Sequence, residues 1–230
     1  MGQAVAITGA SGHLGQATAA AFRAAGWTTV LVGRSLDSLG GPTAEAGVVK
    51  IAVDFANEEA MRSAFDEAAE RLGGIDALCC IAGAFAMSEP VHEMSRATLD
   101  RMIDGNAGTM MAAVRAAAPG MIARGKGAIV TVGAVSAQRG GAEMGAYAAA
   151  KSMVMRLTES MAAELGPQGI RINCILPAII DTPDNRAAMP KVDPGKWTST
   201  EDIAHVVRFL CSDDSRAIHG AMIPVSAAQR

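Results

Sequence analysis

Seven short apolar runs, rich in Val and Ile, constrain the fold of this chain more than any other feature. The runs do not alternate apolar with polar residues, and strands of that kind lie in a sheet whose two faces are both covered. Segments of helical length separate most of the runs, which indicates parallel strands. The predicted strands cover residues 3–8, 28–33, 48–53, 75–82, 127–133, 170–176 and 221–225.

Helices are predicted between these strands, because Ala, Leu, Met, Glu and Arg recur there at helical spacing. Asn57 and Thr200 are the predicted N-caps of two of them. The order of strands and helices predicts an α/β fold of the Rossmann type, a doubly wound seven-stranded parallel sheet with helices on both faces. The predicted helices cover residues 14–25, 57–72, 96–123, 145–165 and 200–212.

The segment 177–199 is the longest stretch without a predicted helix or strand, and it contains Pro177, Pro183, Pro190 and Pro194. A loop of that length in a compact domain is typically a lid or a binding loop. We therefore predict that residues 177–199 close over a substrate. The candidate apolar walls of that site are Met87, Met144, Met189 and Trp197, which packing or an interface would explain equally well.

Length and composition fit a single domain over residues 1–230, because half of the residues are apolar and no linker rich in Pro, Gly or Ser divides the chain. The net charge of -3, spread along the sequence, provides no basic face for nucleic acid or an anionic membrane. No apolar run approaches the roughly 18 residues of a membrane span, and the N-terminus lacks the pattern of a signal peptide. We therefore expect a cytoplasmic protein with small-molecule partners.

Cysteine and histidine spacing supports neither a disulfide framework nor a metal site. Cys79, Cys80, Cys174 and Cys211 lie in apolar runs and are expected to be reduced core residues. The four histidines are scattered without ligand spacing, and no G-x-S-x-G motif is present, so neither a metal hydrolase nor a serine hydrolase is supported.

A glycine-rich turn, Thr8-Gly-Ala-Ser-Gly-His-Leu-Gly15, follows the first predicted strand. Glycine permits a tight turn and close approach of the backbone, while the free N–H groups of the following helix attract phosphate. The usual G-x-G-x-x-G spacing requires glycine where this chain has Ala10, so the motif alone is moderate evidence. The turn predicts a pyrophosphate site, and a tight turn without a ligand is the alternative.

Arg34 and Ser35 follow the second predicted strand, at the position where NAD-binding proteins carry an acidic residue for the ribose hydroxyls. A guanidinium and a hydroxyl suit a 2′-phosphate instead. The pair predicts NADP as the cofactor, with NAD as the alternative because arginine at a strand end is often only solvated.

Tyr147 and Lys151 stand four residues apart in a predicted helix and therefore share one face. An ammonium beside a phenol favours the phenolate. Moving a tyrosine pKa from about 10 to roughly 7 requires about 4 kcal/mol, which Lys151 and a nicotinamide charge are expected to supply together. The pair predicts a proton donor for hydride transfer, although Y-x-x-x-K alone is weak evidence.

These motifs, together with Asp54, Ala82-Gly83 and Asn106, resemble the short-chain dehydrogenase/reductase family from residue 3 to about 226. The resemblance implies a homodimer or homotetramer in which Tyr147 donates the proton, and Lys151 binds the nicotinamide ribose and lowers the pKa of that tyrosine. It also implies that Asn106 holds a helix kink and a relay water, for which a simple helix cap is the alternative.

The resemblance also assigns the cofactor contacts. Asp54 and Phe55 would meet adenine, although Phe55 fits the core as well, and Ala82 and Gly83 would pass under the ribose. The residues assigned to the phosphate turn are Gly9, Ser11, Gly12, His13, Leu14 and Gly15, and those assigned to the nicotinamide are Pro177, Ile180 and Thr182.

The chain departs from the family pattern at three places. His13 stands where the common form of the turn has glycine, and it would contact phosphate or cap the helix. Cys80-Ile81 replaces two asparagines before Ala82. Ala134 occupies the place of the substrate-orienting serine, and loss of one such donor typically lowers the rate by about 10²- to 10³-fold.

Two explanations for Ala134 stay open. Ser136 lies two residues further on and would share the strand face of Ala134. Alternatively, the substrate needs little carbonyl polarisation, as a conjugated imine would. That explanation agrees with a likeness of Cys80–Gly83, Gly133-Ala134 and the segment from Leu176 to Trp197 to the dihydropteridine reductase branch.

A ketone/alcohol pair is the other substrate class. The alternative function is that of a nucleotide-binding sensor or assembly subunit without efficient chemistry.

Overall fold

The computed structural model describes residues 2–87 and 89–227, and seven strands of this part form one parallel sheet. The sheet order is β3-β2-β1-β4-β5-β6-β9, which confirms the predicted doubly wound, Rossmann-type fold. A separate two-stranded sheet pairs β7 with β8. The strands are β1 Ala4–Thr8, β2 Thr28–Gly33, β3 Val48–Ala52, β4 Ala77–Cys80, β5 Gly127–Val132, β6 Ile170–Pro177, β7 Ile180–Asp181, β8 Thr198–Ser199 and β9 Met222–Val225.

Helices cover both faces of the large sheet because neighbouring strand residues point to opposite sides. Val5 and Ile7 of β1 pack in a core with α1 and α7, whereas Ala6 packs in a second core with α2, α4 and α5. The helices are α1 His13–Ala24, α2 Glu58–Leu72, α3 Arg96–Ile103, α4 Thr109–Arg124, α5 Gly145–Leu165, α6 Pro183–Ala188 and α7 Thr200–Cys211.

The observed helices differ from the predicted ones in two details. The helix predicted over 96–123 is interrupted by a π-helical turn at Asp104–Gly108, which separates α3 from α4. Asn57 caps α2 by accepting from the backbone N–H of Ala60 at 3.0 Å, as predicted. The predicted cap Thr200 is wrong, because Ser199 caps α7 by accepting from the N–H of Asp202 at 3.0 Å.

The segment 177–199 is more ordered than the predicted loop. It contains β7, α6 and β8, so the expectation of irregular structure is wrong. Thr182 caps α6 and Pro183 occupies its first turn, a combination that begins helices efficiently. The four prolines of this segment therefore do not exclude a short helix.

The four cysteines are free and buried, as predicted. Burial raises the pKa of Cys80 to about 12 and keeps its thiol protonated at neutral pH. No helix within residues 2–87 and 89–227 combines the length and apolar character that crossing a membrane requires.

Candidate active site

The turn between β1 and α1 is shaped by close backbone contacts that leave no room for side chains. A Cβ on Gly9, whose φ is +67°, would lie 2.6 Å from the backbone nitrogen of Ala82. A Cβ on Gly15 would lie 2.2 Å from the carbonyl oxygen of Gly9. Glycine is therefore required at both positions, and the turn brings the end of β1 against the residues that follow β4.

The N-terminus of α1 meets the requirements of a phosphate site. Gly12 is its N-cap, no side chain caps the helix, and no acidic residue lies in the first turn. The first N–H groups and the helix dipole are therefore available to an anion. His13 does not cap the helix, which corrects one of its two predicted roles. Its Nε2 lies 3.8 Å from Oδ2 of Asp184 in α6, while Ser11 is exposed and Leu14 is buried in the core.

Arg34 and Ser35 lie exposed at the carboxyl end of β2. No carboxylate of the described part of the chain forms an ion pair with Arg34. Ser35 accepts from the N–H of Ser38 at 3.2 Å, and its hydroxyl hydrogen stays available as a donor. Both groups are thus available as donors at this strand end, and their contact with a 2′-phosphate stays a prediction.

Asp54 and Phe55 follow β3 beside this strand end. The Oδ1 atom of Asp54 accepts from the N–H of Ala56 at 3.0 Å, and the aspartate is exposed. Phe55 is partly buried against the core formed with α2 and α4, which supports the core interpretation of that residue. A contact of either residue with adenine stays a prediction.

Ala82 and Gly83 lie beyond the end of β4, at the centre of the sheet edge. The N–H of Ala82 donates to the hydroxyl of Thr8 at 3.2 Å, which joins the ends of β1 and β4. A Cβ on Gly83 would lie 3.0 Å from Oδ1 of Asn106 and 3.3 Å from Nζ of Lys151. The chain therefore brings Gly83, Asn106 and Lys151 together at one point.

Asn106 lies in the π turn and is 1% exposed. Its Nδ2 donates to the carbonyls of Met102 at 2.8 Å and Ala84 at 2.9 Å, and its Oδ1 accepts from the N–H of Ala84 at 3.2 Å. The side chain thus ties the interrupted helix to the segment after β4. This geometry matches the predicted helix irregularity and rules out a cap, whereas the relay water stays a prediction.

Lys151 is buried, and its Nζ donates to the carbonyl oxygen of Val132 at 2.9 Å. Burial lowers the pKa of Lys151 to about 8, because a charged amine is poorly solvated there. The amine still carries its proton at neutral pH, and an ammonium has three donors, of which this bond uses one. The remaining donors are free to bind a ribose hydroxyl.

Tyr147 lies in the first turn of the same helix, four residues before Lys151, and its ring is 4.8 Å from that of Phe85 in an edge-on contact. Burial raises the pKa of Tyr147 to about 12. Burial alone accounts for this shift in the protein without a cofactor, and lowering of the pKa by Lys151 together with a nicotinamide charge stays a prediction. Tyr147 is consequently a neutral phenol at physiological pH, the form that donates a proton.

Ala134 is buried and packs in a small cluster to which Tyr147 also belongs. The premise for Ser136 is wrong, because Val135–Ala137 form a 3-10 turn rather than a continuation of β5, and strand alternation does not apply. Ser136 is exposed on that turn. Its catalytic role stays a prediction without the expected geometric support.

Pro177, Ile180 and Thr182 lie along the path from β6 to α6. Pro177 is buried at the end of β6, and Ile180 is partly buried against the core formed with α1 and α7. The Thr182 hydroxyl accepts from the N–H of Asn185 at 3.2 Å, so its own hydrogen can still be donated to a ligand. Of the apolar wall candidates, Trp197 is buried, while Met87 is 52% exposed.

Phe85 is the functional candidate that the sequence reasoning missed. It is 58% exposed, and its ring contacts that of Tyr147 edge-on. The chain contains only 5 phenylalanines and 1 tyrosine, and an aromatic residue two positions after Gly83 was an available signal.

Comparison with known proteins agrees with this geometry. A family model described as Enoyl-(Acyl carrier protein) reductase matches residues 9–227. L-xylulose reductase of Mus musculus is 32% identical over 236 aligned positions, which cover 97% of this chain and 95% of that protein.

Two solved structures extend the comparison. An oxidoreductase of the short-chain dehydrogenase/reductase family from Burkholderia thailandensis is 30% identical, with a TM-score of 0.85 and coverage of 98% of this chain and 91% of the other. NAD+-bound xylitol dehydrogenase is 25% identical, with a TM-score of 0.87 and coverage of 98% of both chains. In each case the similarity extends over nearly the whole chain.

Proposed function

The chain belongs to the short-chain dehydrogenase/reductase family of oxidoreductases, and on this premise we propose that it is an NADP-dependent enzyme that interconverts a small ketone and its alcohol. The observation that carries the proposal is the meeting of Gly83, Asn106 and Lys151 at the sheet edge, one helical turn from Tyr147. In the proposed enzyme these groups surround the reacting carbonyl.

The residues of the phosphate turn fit a dinucleotide, because the close contacts at Gly9 and Gly15 hold the backbone in a tight turn before the uncapped N-terminus of α1. In the proposal this turn holds the pyrophosphate, and Lys151 binds the nicotinamide ribose. When bound, the nicotinamide supplies the hydride for reduction or accepts it in oxidation. Arg34 and Ser35 favour NADP over NAD because they offer donors, and no negative charge, to a 2′-phosphate.

Tyr147 supplies the proton. When hydride adds to the carbonyl carbon, the electron pair of the C=O bond moves to oxygen, and the phenol donates its proton to that oxygen. A phenol with a pKa of about 12 is fully protonated at pH 7, so the protein is prepared for the reductive direction. Oxidation of an alcohol would require the phenolate, and therefore a further positive charge near the ring.

A ketone/alcohol pair is the first substrate class of the proposal. It is supported by the names of the similar proteins, an L-xylulose reductase and a xylitol dehydrogenase. The second class is a conjugated imine of the pterin kind, and buried Ala134 supports it because no hydroxyl stands at that position to polarise a carbonyl. A homodimer or homotetramer stays part of the proposal and is testable by sedimentation.

The test is an absorbance assay of nicotinamide oxidation with NADPH and NADH, against keto sugars, simple ketones and quinonoid dihydropterin. We expect turnover of a ketone with NADPH preferred. Turnover of the dihydropterin alone would move the assignment to the imine. Calorimetric binding of NADPH without turnover of any substrate would favour the nucleotide-binding sensor or assembly subunit.

A further inference from the structure

The π turn at Asp104–Gly108 changes the pairing of the helical backbone between α3 and α4. In a regular α-helix, the N–H of Thr109 would bond to the carbonyl oxygen of Gly105, four residues earlier. Here that N–H bonds instead to the carbonyl oxygens of Asp104 and Asn106, five and three residues earlier. The carbonyl of Gly105 consequently loses its usual helical partner.

The side chain of Thr109 supplies the missing donor. Its Oγ1 donates to the carbonyl oxygen of Gly105 at 3.0 Å and to that of Asn106 at 3.1 Å. A hydroxyl has one hydrogen, so the two carbonyls share it. Because a carbonyl removed from water without a donor costs free energy, this hydroxyl stabilises the π turn.

Two other threonines show why the bond matters more in the π turn than elsewhere. The hydroxyls of Thr18 and Thr158 each donate to the carbonyl four residues earlier, both at 2.7 Å. They lie inside α1 and α5, where the backbone N–H of the same residue already bonds to that carbonyl. Their hydroxyl bonds are therefore additional, whereas the bond from Thr109 replaces one that the backbone has lost.

The π turn determines where Asn106 lies. Gly105 packs so closely on the segment after β4 that a Cβ there would lie 2.7 Å from Cβ of Ala84. At this close approach the Asn106 side chain bonds to both the N–H and the carbonyl of Ala84, at 3.2 and 2.9 Å. A regular helical turn would change the direction of this side chain relative to α4, and both bonds depend on that direction.

Asn106 connects the turn to the proposed reaction centre. A Cβ on Gly83 would lie 3.0 Å from Oδ1 of Asn106 and 3.3 Å from Nζ of Lys151, so both groups adjoin the same backbone position. The segment that Asn106 holds also carries Phe85, whose ring contacts that of Tyr147. A displaced Asn106 would therefore disturb the neighbourhood of the lysine and of the phenol together.

We propose that Thr109 is a positioning residue of this enzyme, because its hydroxyl keeps the π turn in the form that places Asn106 beside Lys151. Thr109 acts through Asn106. This inference rests on the proposed function, in which Gly83, Asn106 and Lys151 surround the reacting carbonyl. The role requires a hydroxyl rather than bulk, so Thr109→Ser should retain it, and Thr109→Val, with nearly the same shape as the wild type, should lose it.

The test is the kcat for reduction of a ketone with NADPH at pH 7, measured beside calorimetric affinity for NADPH. Thr109→Val should lower kcat by about tenfold or more, since a misplacement of 1 Å in a catalytic group can cost roughly 10²-fold in rate. Its affinity for NADPH should be retained, because the phosphate turn is unchanged. Thr109→Ser should keep kcat within about twofold of the wild type, since its hydroxyl can make the same bonds.

Thr18→Val is the matched control, because it removes an equivalent hydroxyl bond from an uninterrupted helix. It should retain the kcat of the wild type. An unchanged kcat in Thr109→Val, or an equal loss in Thr109→Ser or Thr18→Val, would overturn the proposal. If Thr109→Val does not fold, Thr109→Ala compared with Thr109→Ser keeps the test decisive, because the two new side chains differ by one oxygen atom.

A second readout does not depend on turnover. The backbone N–H of Ala84 donates to Oδ1 of Asn106 at 3.2 Å, so its hydrogen exchange, followed by NMR, reports on the position of Asn106. Exchange should be about fivefold or more faster in Thr109→Val than in the wild type, Thr109→Ser and Thr18→Val. Unchanged exchange would overturn the proposal even if kcat falls. A wild type that reduces no ketone would contradict the proposed function, while exchange at Ala84 would still decide whether Thr109 positions Asn106.

Discussion

The phosphate turn and the segment 177–199 are fixed in different ways. In the turn, the backbone itself leaves no space, since a Cβ on Gly15 would meet the carbonyl oxygen of Gly9 at 2.2 Å. In the segment, side chains set the shape, with Thr182 capping α6 and Arg186 donating to both carboxylate oxygens of Asp181 at 2.6 and 2.7 Å. A backbone-determined site restricts sequence to glycine, whereas a side-chain-determined site admits many solutions. This difference explains why the turn is easily recognised in the sequence and the structure of segment 177–199 is not.

The largest expected effect comes from Gly15→Ala. The added methyl group must displace backbone, and overpacking of that kind costs about 3 kcal/mol. We expect a matching loss in the free energy of unfolding in urea, together with loss of NADPH binding by calorimetry. Gly12→Ala is the control, because its Cβ would meet the Gly9 carbonyl oxygen at an ordinary 3.6 Å. Equal tolerance of both substitutions would contradict the backbone account of the turn.

Lys151→Met is expected to have the next largest effect. The pKa of Lys151 is lowered from 10.5 to about 8, so below pH 8 the folded protein carries a charge that burial disfavours. The variant should therefore be more stable at pH 7 by about 1 to 3 kcal/mol, after allowance for the lost bond to Val132. It should also be inactive if the lysine positions the cofactor.

The stability difference between the wild type and Lys151→Met should depend on pH. Between about pH 8 and 10.5 the unfolded chain still binds a proton that folded Lys151 has released, so stability of the wild type rises with pH relative to Lys151→Met. Urea unfolding of both proteins at pH 7 and pH 10 should therefore show a smaller difference between their free energies of unfolding at the higher pH. A wild type that is the more stable protein at pH 7, with a gap independent of pH, would contradict it.

Arg34→Ala extends the comparison to the end of β2, because there we propose that a side chain and not the backbone selects the ligand. Charge-assisted hydrogen bonds are worth about 1.5 to 3 kcal/mol, so affinity for NADPH should fall by roughly tenfold or more. Affinity for NADH, measured by the same calorimetry, is the internal control and should hardly change. A parallel loss for both nucleotides would show that Arg34 does not read the 2′-phosphate.

The smallest effect is expected for the contact between the phosphate turn and α6. His13 and Asp184 lie 3.8 Å apart, and the aspartate side chain is 89% exposed. Exposed pairs of this kind contribute about 0 to 1 kcal/mol. A double-mutant cycle with His13→Ala and Asp184→Asn, read by urea unfolding, should give a coupling energy in that range. A larger value would mean that the turn and α6 are joined more firmly than their surface contact implies.

Prediction from sequence succeeded where local pattern and global fold agree. The seven strands, the Asn57 cap and the buried cysteines follow from periodicity, cap chemistry and apolar context. Prediction failed where tertiary contacts decide. The π turn depends on bonds from Asn106 to Ala84 and Met102, and local spacing does not reveal them.

Prediction from sequence also failed where the burial of a side chain or the end of a strand decides the outcome. Spacing correctly placed Tyr147 and Lys151 one turn apart, but it did not reveal that burial raises the pKa of Tyr147. Ser136 illustrates a related error, since an alternation argument fails once β5 ends at Val132 and a 3-10 turn begins. Position along the chain was predictable, whereas solvation at that position was not.

The central claim is that the neutral Tyr147 phenol donates the proton in a hydride-transfer reaction. The most direct test is the Tyr147→Phe variant, measured as kcat for reduction of the best ketone with NADPH at pH 7, alongside calorimetric affinity for NADPH. We predict a loss of about 10²- to 10⁴-fold in kcat with nucleotide affinity retained, because the ring and its contact with Phe85 persist while the proton is gone. Turnover equal to that of the wild type would contradict the account.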